Sequence, residues 1–97
     1  MEYTLLGNTQ IKVSRICFGT LTAGPMQANL PLEQGAALMA EAVERGINFF
    51  DTAQLYDTYP YLRRAMELTG QKDLVISTKT YAYSRELARE ALEQARR

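Results

Sequence analysis

Ile47-Asn48-Phe49-Phe50-Asp51-Thr52-Ala53-Gln54-Leu55-Tyr56 reads as a short apolar strand that ends in a carboxylate, with a tyrosine five residues beyond it. Leu74-Val75-Ile76-Ser77-Thr78-Lys79 is a second apolar strand, and this one ends in an ammonium. A helical segment lies between them, from Pro60 through Leu62, Ala65 and Met66 to a stop at Gly70. Strand, helix and strand in that order predict parallel pairing through a right-handed crossover. Parallel neighbours bring Asp51 and Lys79 to the same edge of one sheet.

The same alternation extends in both directions. Upstream, Pro31 suits the first position of a helix, where its missing N–H costs nothing. Leu32, Ala36, Met39 and Val43 follow at helical spacing as one apolar stripe, with Glu33 near the start, Arg45 near the end and Gly46 as the stop. Before that helix, Arg15-Ile16-Cys17-Phe18-Gly19-Thr20 forms a strand that runs into the loop Leu21 to Leu30. A loop of that length serves function more often than connection. Tyr3-Thr4-Leu5 and Ile11-Lys12-Val13 alternate apolar and polar around Gly7-Asn8, the pattern of a β-hairpin. Downstream, Ser84 caps a third helix with Leu87, Ala91 and Ala95 on one face and a Glu93–Arg97 pair. The expected architecture is α/β, a hairpin over 2–14 followed by three βα units over 15–46, 47–70 and 73–97. Three parallel strands with helices on one side leave the other face bare, so either a partner covers it or the chain is the front part of something larger, and the second is expected.

Composition narrows the class. The chain has 97 residues, 46% apolar and 23% charged, with eleven basic residues against eleven acidic ones. No global field therefore steers it toward nucleic acid or anionic lipid. Its apolar runs are far shorter than the roughly 20 residues of a membrane span. Met1-Glu2-Tyr3 opens with an acid and no apolar h-region follows, so no secretory signal is expected. One cysteine, Cys17, forms neither an internal disulfide nor a zinc or iron–sulfur site by itself. The expected setting is the reducing cytoplasm.

In parallel α/β folds ligands sit at the carboxyl ends of strands. Gly19-Thr20, Asp51 and Lys79 all lie at such ends, and Tyr56 lies just beyond the second. An ammonium beside a phenol favours the ionised phenol. A Tyr56–Lys79–Asp51 cluster therefore suits a general acid that protonates a carbonyl oxygen as it gains charge. Each residue also has a plainer reading. Asp51-Thr52 can cap a strand, Tyr56 can belong to an aromatic surface with Tyr59 and Tyr61, and Lys79 can simply be solvated. Gly19 can be a backbone accommodation, and Cys17 a small buried apolar residue. Other chemistries lack their residues: Gly19 to Gly24 has no Gly-Lys-Ser/Thr ending, no Gly-x-Gly-x-x-Gly opens a helix, and no histidine is present for a Ser–His triad. The aromatic residues are not interleaved with a basic patch, so no nucleic-acid partner is expected.

Leu6-Gly7, Val13-Ser14, Phe18-Gly19-Thr20, Gly46 to Ala53 with Tyr56, and Thr78-Lys79 together resemble the opening of an aldo-keto reductase. The resemblance implies a partial TIM (β/α)8 barrel whose hairpin closes the bottom. It implies reduction of aldehydes and ketones with NADPH or NADH. It places three members of the family's Asp–Tyr–Lys–His tetrad on Asp51, Tyr56 and Lys79. Tyr56 would be the proton donor, Lys79 would assist it, and Asp51 would hold Lys79. Gly19, Thr20 and Leu21 match the segment near the nicotinamide and substrate, and Asp51 would also reach the nicotinamide ribose. Where the family commonly has Tyr-Gly, this chain has Tyr56-Asp57-Thr58-Tyr59-Pro60. That variant resembles a branch of oxidoreductases with a C-terminal 4Fe-4S segment, a cluster that would belong only to a longer parent. The expectation is the N-terminal fragment of such a barrel, inactive alone and prone to self-association, acting in its parent on a small carbonyl substrate. A class I aldolase-like enzyme with a Schiff base on Lys79 and a non-catalytic, barrel-derived regulatory subunit are the alternatives.

Overall fold

The computed structural model describes residues 1–96. Two antiparallel strands, β1 (Tyr3–Leu5) and β2 (Lys12–Ser14), form the hairpin, with Tyr3 opposite Ser14. Three strand–helix units follow: β3 (Phe18–Gly19) with α1 (Leu32–Glu44), β4 (Phe49–Asp51) with α2 (Tyr59–Thr69), and β5 (Val75–Ser77) with α3 (Arg85–Arg96). The order β3-β4-β5 is parallel throughout. Phe18 pairs with Phe50, Gly19 with Asp51, and Asp51 in turn with Ser77. The three strands make an open sheet, not a closed barrel.

The core lies between this sheet and the first two helices. Phe50 and Met39 are fully buried and pack with Ala40, Tyr61, Leu62 and Ala65, while the Phe18 ring sits 5.4 Å from that of Phe50. Each fully buried side chain of this size stabilises by about 1.5–3 kcal/mol. The two helices meet at Gly35, where a Cβ would overlap the Tyr61 ring. That ring is pinned, because the Tyr61 hydroxyl donates to the Leu30 carbonyl at 2.6 Å. The stripe differs from its expected form for this reason. Gly35 takes a core position against Tyr61, and Leu32 at the start of the helix is exposed.

Asn48 joins the hairpin to the sheet. Its side-chain oxygen accepts from the Ser14 amide at 2.6 Å, its Nδ2 donates to the Lys12 carbonyl at 2.9 Å, and its amide donates to Ser14 Oγ at 3.2 Å. The Tyr3 hydroxyl adds a bond to the Gly46 carbonyl at 2.7 Å, across the turn that ends α1. Gly46 has φ +101°, which is why a glycine stands at that stop.

Two local readings need correction. The strands are shorter than the apolar runs, because ladder pairing stops where the chain turns into its rim loops. Lys79 therefore lies past the end of β5 instead of closing it. Cys17 is exposed, not buried. Side chains alternate along a strand, so Phe18 facing the core sends Cys17 to the opposite face. The expected Glu93–Arg97 pair falls outside the described residues, and Glu93 stands 3.8 Å from Arg96. Only Ala91 of α3 is buried, and Leu87 and Leu92 remain exposed.

Candidate active site

The parallel register places the carboxyl ends of β3, β4 and β5 side by side. Asp51 closes β4, and the chain then turns through a 3-10 segment, Gln54–Tyr56. Lys79 leaves β5 and folds back over this turn. Its Nζ donates to Asp51 Oδ1 at 2.9 Å and to the Thr52 carbonyl at 2.7 Å. The same Nζ lies 5.4 Å from the centroid of the Tyr56 ring. The three ionisable residues singled out from the sequence therefore meet at one rim.

The hydrogen bond that Lys79 donates to Asp51 is the chief cause that raises the Lys79 pKa. Partial desolvation opposes it, and the Asp51, Tyr56 and Cys17 charges add to the rise. The ammonium form of Lys79 is thus favoured. Cys17 lies within electrostatic reach of the pair. Partial burial of its thiol pushes the pKa up, Asp51 pushes the same way, and Lys79 pulls it down. A thiol shifted upward has little thiolate near neutral pH and is a weak nucleophile.

Gly19 stands opposite Asp51, with nothing within 4 Å of the position a Cβ would occupy. The backbone there offers a flat, open wall. Leu21 is half-buried and opens a short 3-10 turn, Leu21–Ala23. Thr20 lies beneath the rim, wholly buried, with its hydroxyl engaged by protein groups. Two further residues hold the site and went unnoticed in the sequence. Gln54 gives its amide to the Lys79 carbonyl at 2.9 Å, accepts from the Thr80 hydroxyl at 2.7 Å and donates to Gln94 at 2.9 Å. Thr58 bonds both Thr20 and Thr52. A glutamine and a threonine between a strand and a helix look like ordinary turn residues, and only tertiary pairing distinguishes them.

The exposed side of this rim fits a nicotinamide nucleotide. Lys79 engages Oδ1 of Asp51, whose side chain stays 41% exposed and so keeps acceptor capacity for ribose hydroxyls. The bare backbone at Gly19 admits a flat ring. An iron–sulfur cluster takes four thiolates and does not fit these residues, which include one cysteine. Among the described residues no group of three His, Cys, Asp or Glu converges, and no helix is long and apolar enough to cross a membrane.

Residues 15–97 match the Aldo/keto reductase family. The chain belongs to that family. Among its relatives is the uncharacterized oxidoreductase YrpG of Bacillus subtilis (strain 168), 45% identical over 90 aligned residues, covering 84% of this chain and 27% of that protein. A protein of Oryza sativa subsp. japonica named "Probable voltage-gated potassium channel subunit beta" is 31% identical over 90 residues, covering 84% of this chain and 26% of its own length. L-galactose dehydrogenase of Arabidopsis thaliana is 39% identical over 56 residues, 58% of this chain and 18% of that enzyme. The chain thus spans about a quarter of the length of the first two relatives. The family implies a (β/α)8 barrel, of which the hairpin and three βα units described above are consistent parts.

Proposed function

We propose that this chain is the N-terminal portion of a single barrel domain that reduces aldehydes or ketones with NADPH or NADH. Tyr56 is its proton donor, Lys79 its charge source, and Asp51 the residue that holds Lys79. One observation carries the reading: the Asp51–Lys79 ion pair at 2.9 Å, Asp51 closing β4 and Lys79 just beyond the end of its parallel neighbour β5, with the Tyr56 ring beside the same ammonium. Gly19 and Asp51 would hold the nicotinamide, which would supply the hydride. As the substrate carbonyl oxygen gains charge, the Tyr56 hydroxyl delivers its proton to that oxygen. The phenolate left behind faces the Lys79 ammonium, and Asp51 with the Thr52 carbonyl keeps that ammonium in place. Thr20 and Leu21 line the neighbouring loop, Thr20 from below.

The aldolase alternative needs Lys79 as a free amine. The raised pKa and the two acceptors on Nζ oppose that. Borohydride with a carbonyl substrate should leave no adduct on Lys79. A non-catalytic regulatory subunit is the second reading, favoured by the relative named as a potassium channel subunit. Tyr56→Phe in the full-length protein separates the two. An enzyme should lose about 10²–10⁴-fold in kcat for NADPH-dependent reduction of a generic aldehyde, the usual contribution of general acid catalysis. Wild-type turnover by Tyr56→Phe would overturn the assignment.

On this reading the 97-residue chain alone is inactive, because the later strands of a roughly 250-residue barrel are missing from it. Its open strand edges favour self-association. A compact monomer that resists dilution in sedimentation would count against that. Balanced charge and one cysteine suit a cytoplasmic setting. A C-terminal 4Fe-4S segment would lie in a longer parent, and cysteines beyond Arg97 would identify that branch.

A further inference from the structure

Beneath the rim lie three wholly buried threonines from two loops, Thr20, Thr52 and Thr58. Thr20 Oγ1 and Thr58 Oγ1 are 2.8 Å apart, and Thr52 Oγ1 and Thr58 Oγ1 are 2.7 Å apart. Thr20 Oγ1 also donates to the Asp51 carbonyl at 3.1 Å. A hydroxyl has one proton, so the direction of every bond follows. Thr20 spends its proton on Asp51 and must accept from Thr58. Thr58 has then spent its own and must accept from Thr52. The chain runs Thr52 to Thr58 to Thr20 to the Asp51 carbonyl, each link polarising the next.

One end of this chain is the Asp51 carbonyl and the other is the hydroxyl of Thr52, both residues of the candidate site. The Asp51 carbonyl also accepts from the Thr20 amide at 3.0 Å, and the Thr52 carbonyl accepts from Lys79 Nζ. Thr58 itself sits two positions after Tyr56, at the start of α2, and its side chain makes no helix-capping bond. Its hydroxyl serves the tertiary chain instead. Between them, Asp57 adopts the left-handed conformation at φ +56°, a costly one for a residue other than glycine. The Tyr56 turn is thus held against an unfavourable local geometry by the bonds that Thr58 makes on the far side.

We propose that Thr58 is a positioning residue for Tyr56: its hydroxyl locks the Tyr56 turn to the β3 and β4 rims and so sets where the phenol stands relative to Lys79. The proposal rests on the reading of Tyr56 as proton donor. Its test uses Thr58→Val, which keeps the shape and removes the hydroxyl, Thr58→Ser, which restores it, and Tyr56→Phe as a separate arm, all in the full-length protein. With a generic aldehyde, Thr58→Val should lower kcat roughly 10- to 100-fold, as expected of a misplaced reacting group. KM should stay within about twofold, because binding contacts are untouched. Thr58→Ser should recover most of the loss. Amide hydrogen exchange in Thr58→Val should quicken over 51–61 and stay unchanged in α1. Unchanged kcat in Thr58→Val, a serine variant no better than valine, or exchange that quickens everywhere would each overturn the proposal. Wild-type activity in Tyr56→Phe would instead overturn the catalytic reading and this proposal with it, a failure visible in that arm alone. Should Thr58→Val not fold, Thr52→Val, which removes one of the two bonds to Thr58 and leaves the Thr52 carbonyl in place, carries the same expectations.

Discussion

Asp51→Asn is the sharpest probe of the ion pair, because it preserves shape and removes only charge. Lys79 Nζ has two acceptors, Asp51 Oδ1 at 2.9 Å and the Thr52 carbonyl at 2.7 Å. A neutral amide in place of the carboxylate weakens the first and leaves the ammonium held chiefly by the second. The side chains are 50% and 41% exposed, and pairs so exposed contribute at most about 1 kcal/mol to stability. In a barrel of roughly 250 residues that corresponds to a fall of no more than about 2–4 °C in Tm. Activity should suffer far more. Loosening the charge partner of a general acid forfeits part of its contribution of about 10²–10⁴-fold, so kcat should drop roughly 10- to 100-fold. The carboxylate is also the chief cause of the raised Lys79 pKa. Without it the high-pH limb of kcat, where the ammonium is lost, should move to lower pH. Steady-state NADPH oxidation across a pH series, beside thermal melts, reads all three quantities. A kcat within about twofold of wild type, or a large loss of Tm with matching loss of activity, would refute the role given to the pair.

The remaining predictions concern the scaffold. Gly35→Ala gains about 1 kcal/mol of helix preference but drives a Cβ into a pinned ring, an overpacking cost of about 1–3 kcal/mol. Denaturant melts should therefore show net destabilisation, relieved when combined with Tyr61→Ala. Asn48→Ala removes two side-chain bonds to the hairpin and leaves the partly buried Ser14 amide unpaired, for a loss of about 1–3 kcal/mol. Proteolysis should then cut first near residues 6–11. Lys79 and Cys17 both titrate above their ordinary values in the folded chain. Their contributions are complete below the ordinary thiol and lysine pKa values and are lost as pH rises through the folded ones. Stability to urea should thus stay level near neutrality and fall only on the alkaline side, and Lys79→Met should remove the part of that fall owed to the lysine.

The fold was legible wherever apolar periodicity was strong. Phe49-Phe50 and Val75-Ile76 announced parallel strands, and Gly46 and Gly70 marked the helix stops. The meeting of Asp51 with Lys79 followed from topology alone, since parallel neighbours share a rim. What escaped the sequence depends on which face a residue takes. Cys17 looked like core until Phe18 claimed that side, and Leu32 looked like core until Gly35 brought Tyr61 close. The threonine chain was invisible for a different reason. Thr20 and Thr58 are 38 positions apart, and nothing in a hydroxyl's local context reports a partner that distant.

The Asn48 clasp also bears on how the chain is born. The hairpin strands leave the ribosome before β4, and the amide oxygen that receives the Ser14 N–H is added 34 positions later. At roughly 5–20 residues per second the nascent ribbon therefore waits about 2–7 s for its fastener. Throughout that interval it has no dock, and α1 must be translated before it can be moored.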